Sequence, residues 1–174
     1  MSFVRVFRVL LVIGGVLLLA GLALVFSSTG SSTSSTDSLP AGSYYLFYQF
    51  NLFGSGTLRG EYQETTGGSV NLFVLTEVQF ESYRAGRDVG SLWSLGSSRA
   101  GTIDVALPGS GRYFLVADHG SAYEQVQQEI RFTLRLTGID PTTFGAGLAF
   151  SGAGSLVMSW GVFSRRRLSR RTTS

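Results

Sequence analysis

Hydrophobic positions fall into two textures along this chain. At either end they run unbroken: residues 9–26 read VLLVIGGVLLLAGLALVF and residues 141–163 read PTTFGAGLAFSGAGSLVMSWGVF, neither with a charged side chain. Between them, from residue 44 onward, apolar residues alternate with polar ones and glycine interrupts every run. As a helix rising ~1.5 Å per residue, the first run spans roughly 27 Å, and the second has room for about 30 Å, close to the ~30 Å hydrocarbon core of a bilayer. Neither shows the polar stripe that a helix on a soluble core would carry each turn. Both are expected to be membrane spans. A signal peptide is the competing reading of the first, but its apolar stretch is long and Leu24-Val25-Phe26 is a poor small-x-small cleavage site.

The central texture has a period of two, the mark of half-buried strands. Ile130, Phe132, Leu134 and Leu136 alternate with Arg131, Thr133, Arg135 and Thr137, and Leu58, Gly60 and Tyr62 alternate with Arg59, Glu61 and Gln63. Strands are predicted over 44–53, 57–65, 70–80, 102–107, 112–118 and 129–137. Turns are predicted at Gly54-Ser55-Gly56, Gly67-Gly68, residues 85–88, Pro108-Gly109-Ser110-Gly111 and His119-Gly120-Ser121. In residues 83–99, Leu92, Trp93 and Leu95 fit either a short strand or a capping loop. Short strands at this spacing without a helical pattern predict an all-β antiparallel sandwich, with a barrel as the alternative. The stretch from Ser27 to Ser38 is almost wholly serine and threonine, and is expected to be a flexible linker ending near residue 43.

Charge adds orientation. Arg5 and Arg8 precede the first span, and Arg165, Arg166, Arg167, Arg170 and Arg171 follow the second. Between the spans, seven arginines face eleven acids, a net of −4 against +3 for the whole chain. Cationic flanks stay on the cytoplasmic side. The expected plan is therefore a cytoplasmic N-terminus (1–8), a span (9–26), a linker (27–43), an extracytoplasmic sandwich (44–138), a second span (141–163) and a basic cytoplasmic tail (164–174). The expected location is the plasma membrane, with two passes. The high isoelectric point belongs to the tails and is no argument for nucleic acid.

Chemistry is sparse. With no cysteine there can be no disulfide, thiol nucleophile or thiolate-ligated metal. His119 is the sole histidine, and Asp118-His119-Gly120 reads as a polar loop tip. A Ser–His–Asp triad needs that histidine, but no Gly-x-Ser-x-Gly turn accompanies it. Paired glutamates 61/64, 77/81 and 124/129 read as solvated positions, and no metal or cofactor is expected. The aromatic cluster 44–53 is more distinctive: alternation lets only one face be covered by the core, which leaves Tyr44, Tyr48 and Phe50, with Trp93, as candidate interaction residues. In the second span Gly145, Ala149, Ala153 and Gly161 form a small-residue stripe for helix packing, and Gly14 and Gly21 can line up similarly in the first.

The run Leu107-Pro108-Gly109-Ser110-Gly111-Arg112-Tyr113-Phe114-Leu115-Val116, with Gly60 and Tyr62 in an early strand and the apolar run 70–75, resembles the GOLD (Golgi dynamics) domain. That family's β-sandwich is membrane-proximal in cargo receptors and in similar-looking prokaryotic membrane proteins. The cargo receptors' cysteine pair is absent here. The resemblance implies a GOLD/jelly-roll-like sandwich that makes protein or lipid contacts, and it brings no catalytic residues. The expected function is a non-catalytic, membrane-anchored binding or assembly module whose partners are the bilayer and a protein, another copy included. The alternatives are an exported, membrane-tethered hydrolase acting on envelope material and a purely structural envelope component.

Overall fold

The computed structural model describes residues 3–42, 44–88, 90–120 and 124–169. They form two compact units, one of helices (residues 3–29 with 141–169 among those described) and one mainly of strands (Gly30–Asp140).

The helical unit pairs α1 (Phe3–Ser27) with α3 (Pro141–Ser169); a short helix between them, α2 (Glu77–Arg84), belongs to the other unit. Residues 8–27 of α1 are long and apolar enough to cross a membrane. The helices run antiparallel: Gly14 of α1 meets Gly154 and Met158, while Gly21 meets Gly147 and Ser151. A Cβ on Gly14 would lie 2.9 Å from the Gly154 carbonyl oxygen, and one on Gly154 only 2.7 Å from the Leu18 nitrogen. Only glycine allows such approach of two backbones. The stripe expected on the second helix is therefore displaced. Gly145 has nothing within 4 Å of its Cβ position, and Ala149 and Ala153 are exposed. The packed stripe is Gly147–Ser151–Gly154–Met158, on another face of the same helix. The surroundings of Gly161, and the side chains of Arg5, Arg165, Arg166 and Arg167, lie outside the described residues, as do Arg170 and Arg171 altogether.

The other unit is a sandwich of β1 (Gly30–Leu39), β2 (Tyr45–Glu64), β3 (Val70–Thr76), β4 (Trp93–Ser98), β5 (Ala100–Leu107), β6 (Gly111–His119) and β7 (Gln128–Ile139). Every pairing is antiparallel. One sheet has the order β1-β7-β2-β5 and the other β2-β6-β3-β4. β2 serves both, residues 45–52 pairing β6 and 57–64 lying between β5 and β7. The predicted Gly54-Ser55-Gly56 turn is instead a bulge inside this single strand. The register against β7 shifts between Phe53 and Thr57, and Gly54 takes φ 81°, a conformation that side chains resist. The bulge bends the chain from one sheet into the other and so closes the fold at that corner.

Between the sheets lie Leu58 and Tyr62 of β2, Leu72 and Val74 of β3, Ile103 and Val105 of β5, Leu115 of β6 and the β7 row Ile130, Phe132 and Leu134, all buried. A second cluster lies on the outer face of the β6–β3 sheet. Leu75, Phe114 and Val116 are covered there by α2, whose Phe80 stacks on Phe114 at 4.0 Å between ring centroids.

The predicted strand over 70–80 ends at Thr76. Its hydroxyl accepts from the Gln79 backbone, and the Gln79 side chain accepts from the Thr76 backbone: a capping box that starts α2 and contributes about 1 kcal/mol. The predicted Ser/Thr linker is also corrected. Only Ser28 and Thr29 separate α1 from β1, and β1 pairs β7 over ten positions, from Gly30↔Thr137 to Leu39↔Gln128. The composition argued against a core, and most of these side chains are indeed exposed. Backbone pairing needs no apolar side chain, however, and Leu39 is fully buried, adding roughly 2 kcal/mol. Trp93 and Leu95 of the hard-to-read stretch form β4 and point inward.

Candidate functional site

His119 ends β6 and is 4% exposed, a buried strand residue and not the loop tip expected. Its Nδ1 lies 2.7 Å from Oε1 of Gln128 and its Nε2 2.7 Å from the carbonyl oxygen of Pro40. Gln128, fully buried at the start of β7, donates from Nε2 to the Ser69 carbonyl at 3.1 Å. Both ring nitrogens thereby lie within hydrogen-bond distance of structural oxygens. Asp118 points the other way, as alternation requires, accepting from the Tyr83 hydroxyl at 2.6 Å. No Ser–His–Asp triad forms around His119 among the described residues. Among the described residues no group of three His, Asp or Glu side chains could hold a metal ion.

Another buried polar residue, Glu64, ends β2 and gathers the following turn. Its Oε1 accepts from the Thr66 backbone at 2.9 Å and from the Thr66 hydroxyl, and its Oε2 accepts from the Gly67 backbone at 2.8 Å. Burial pushes its carboxyl up, but these bonds together with one from the Gly68 backbone outweigh burial, and the group stays below the ordinary carboxylate range. This is turn architecture, not an acid–base pair.

The expected interaction residues separate. Tyr48, Phe50 and Trp93 pack against the main core, so Tyr48 and Phe50 lie on the inward face of the aromatic strand. Burial and a hydrogen bond to Asp37 push the Tyr48 hydroxyl up to about 12. Tyr48 donates to Asp37 and lies 2.5 Å from Ser35 Oγ, clamping β1 across the sandwich. Tyr44 alone of the four is well exposed, at 61%. On the outward face, α2 covers Tyr45 but leaves Phe47 46% exposed, although its ring meets Phe80 at 5.1 Å and Phe114 at 6.0 Å.

Three surfaces remain that could bind. On the β1–β7–β2–β5 sheet, the outward residues Glu61, Gln63, Thr102, Arg131 and Thr133 line an open groove of about 420 Å³. Its lining carries one charge of each sign, Glu61 and Arg131; nearby, the register sets Arg59 beside both Arg135 and Asp104, and Arg59 Nε reaches Asp104 at 3.1 Å. The other sheet has a groove of about 420 Å³ with Phe73 and Leu75 as its floor and Tyr83, Arg87 and Asp88 at its rim. The third surface is an edge. Residues 45–52 pair β6 on one side, and among the described residues nothing pairs the other. That edge was not foreseen because residues 44–53 and 57–65 read as two separate strands; its lack of charge was the available signal.

No family model matches the sequence, and no curated protein matches it. Solved structures do match in part. The pre-peptidase C-terminal domain of collagenase from Bacillus anthracis is 14% identical, covering 59% of this chain and 88% of that one, with a TM-score of 0.43. PliG of Aeromonas hydrophila, a periplasmic inhibitor of g-type lysozyme, is 15% identical over 64% and 88%, TM-score 0.39. The K3 adhesin domain of Lys-gingipain from Porphyromonas gingivalis is 16% identical over 62% and 74%, TM-score 0.40. At these scores the likenesses add nothing to the sandwich already evident from the strand pairing.

Proposed function

We propose that this chain is a two-span membrane protein that holds a GOLD-like, non-catalytic sandwich outside the cytoplasm as a binding or assembly module, in contact with lipid and with a protein partner. The observation that carries this reading is the outer surface of the helical unit. Val9, Val12, Val16 and Leu19 of α1 and Leu148, Phe150, Leu156 and Trp160 of α3 are all exposed, while the helices spend their glycines on each other. So large an apolar surface is not left to water, and lipid is its natural cover. The arginines flanking the apolar runs favour a cytoplasmic position for both flanks. The β5–β6 turn supports the GOLD element: Tyr113 donates to the Gly109 carbonyl at 2.8 Å and accepts from its N–H at 3.1 Å, which fixes the proline–glycine turn against the following strand. The spent histidine favours binding over hydrolysis.

The chain has no cysteine, so topology has a clean test. A cysteine replacing the exposed Asp88 is expected to react with a membrane-impermeant maleimide in intact cells. Protection until the cells are lysed overturns the placement.

A further inference from the structure

We infer that the free edge of β2, residues 45–52, is the assembly edge of this protein and pairs antiparallel with the same edge of a second copy. The inference rests on the binding-module reading and names its partner.

An unpaired strand edge presents a row of N–H and C=O groups that only another extended backbone matches in spacing. Folded proteins ordinarily guard such edges with charge, proline or a covering segment. Residues 45–52 read YLFYQFNL, with no charged residue and no proline. The opposite sheet is guarded: its edge strand β1 carries the inward-turned Asp37, and its other edge strand, β5, carries Asp104. Burial identifies the same side of the sandwich as open. On β6 the interior residues Tyr113, Leu115 and Ala117 are nearly or fully buried. Their neighbours on β2, Leu46, Tyr48 and Phe50, face the same core but are only half-buried, and Phe47 is exposed beside them. The seam therefore needs a cover that is uncharged and extended, with apolar side chains on its inward face. The edge itself has that composition. Antiparallel pairing across a two-fold axis uses one patch twice and closes at two copies.

The cysteine-free chain allows a direct test in mild detergent. Single cysteines at Tyr45, Phe47, Gln49 and Asn51 are oxidised, with Ser94→Cys on the far edge strand β4 as control. Cross-linking is expected to peak at one of the four positions, nearest the axis, and to fall on either side, with none at position 94. Light scattering is expected to give about twice the monomer mass, and Gln49→Lys, at an exposed position, is expected to return it to one chain that still unfolds cooperatively. Equal cross-linking at all four positions overturns antiparallel pairing. A monomer with no cross-link overturns the assembly edge, whereas the maleimide test at position 88 reports on the membrane reading separately. A second copy joined through the β1–β7–β2–β5 face, with Gln49→Lys still dimeric, also overturns it.

Discussion

His119 of one sheet and Gln128 of the other meet at 2.7 Å, Nδ1 to Oε1, at the end of the sandwich where β1 turns towards β2. Through Pro40 and Ser69, this contact also ties in two chain segments that are distant in sequence. Replacing His119 by Ala leaves the Pro40 carbonyl and Gln128 Oε1 without the ring nitrogens they meet. Such loss costs about 1–3 kcal/mol beyond the cavity. His119→Ala is expected to lower the urea midpoint markedly, and Gln128→Leu nearly as much. A double-mutant cycle should show coupling of about 0.5–3 kcal/mol. Additive single effects in that cycle would remove the contact from the list of forces holding the fold.

Glu64 predicts acid sensitivity. Its folded carboxyl lies below the ordinary range, so the turn contributes stability above the unfolded value, near ~4.3, and loses it as pH falls through the depressed folded value. Glu64→Gln is expected to be less stable than the wild type at neutral pH, with the gap in urea midpoint closing as the pH drops below about 4. A gap that persists unchanged at lower pH means the carboxylate charge is irrelevant to the turn.

The legible parts of the sequence were those in which burial differs between two faces. Ile130, Phe132 and Leu134 are buried and Arg131, Thr133 and Arg135 are exposed, and the alternation says so unaided. β1 escaped notice because its stability lies in backbone bonds and in one leucine, neither of which appears as periodicity. α2 follows an apolar strand whose run it continues, so only Thr76-x-x-Gln79 marked the change, a capping signal that was present to be read. The direction of Tyr48 depends on which side a bent strand turns to the core, and a bulge at Gly54 cannot be told from a hairpin turn by composition. On α3, glycine and alanine fall on more than one face, and the choice of face belongs to Gly14 and Gly21 of the other helix.

The clamp between Tyr48 and β1 predicts graded mobility. Ser35, Asp37, Leu39 and Pro40 all hold contacts across the sandwich, whereas residues 30–34 are held by β7 backbone alone. Amide exchange is expected to slow from Gly30 towards Leu39, and Tyr48→Phe is expected to quicken it at residues 35–38. The Tyr48 hydroxyl, pushed to about 12, favours the folded state at pH below the unfolded phenol value of ~10 and loses that contribution as pH rises towards 12. The Phe variant should lack this alkaline decline. Uniform exchange along β1 contradicts the clamp.

The helix pair gives the sharpest contrast, because neighbouring glycines differ wholly in surroundings. A Cβ at Gly21 meets the Ser151 side chain and lies 2.6 Å from the Gly147 carbonyl, whereas one at Gly15 meets nothing within 4 Å. Backbone cannot yield as a flexible side chain can, so Gly21→Val must push the helices apart, at a cost of several kcal/mol of overpacking and lost contact. Gly15→Val adds a methylated surface facing outward and keeps the pair intact. On α3 the same logic separates Gly154→Val from Gly152→Val. Thermal unfolding in detergent, followed by helix-pair cysteine cross-linking in the otherwise cysteine-free chain, should show loss for positions 21 and 154 and little change for 15 and 152. Equal tolerance at all four would mean that the two helices meet on other faces, and the apolar surface assigned to lipid would have to be redrawn.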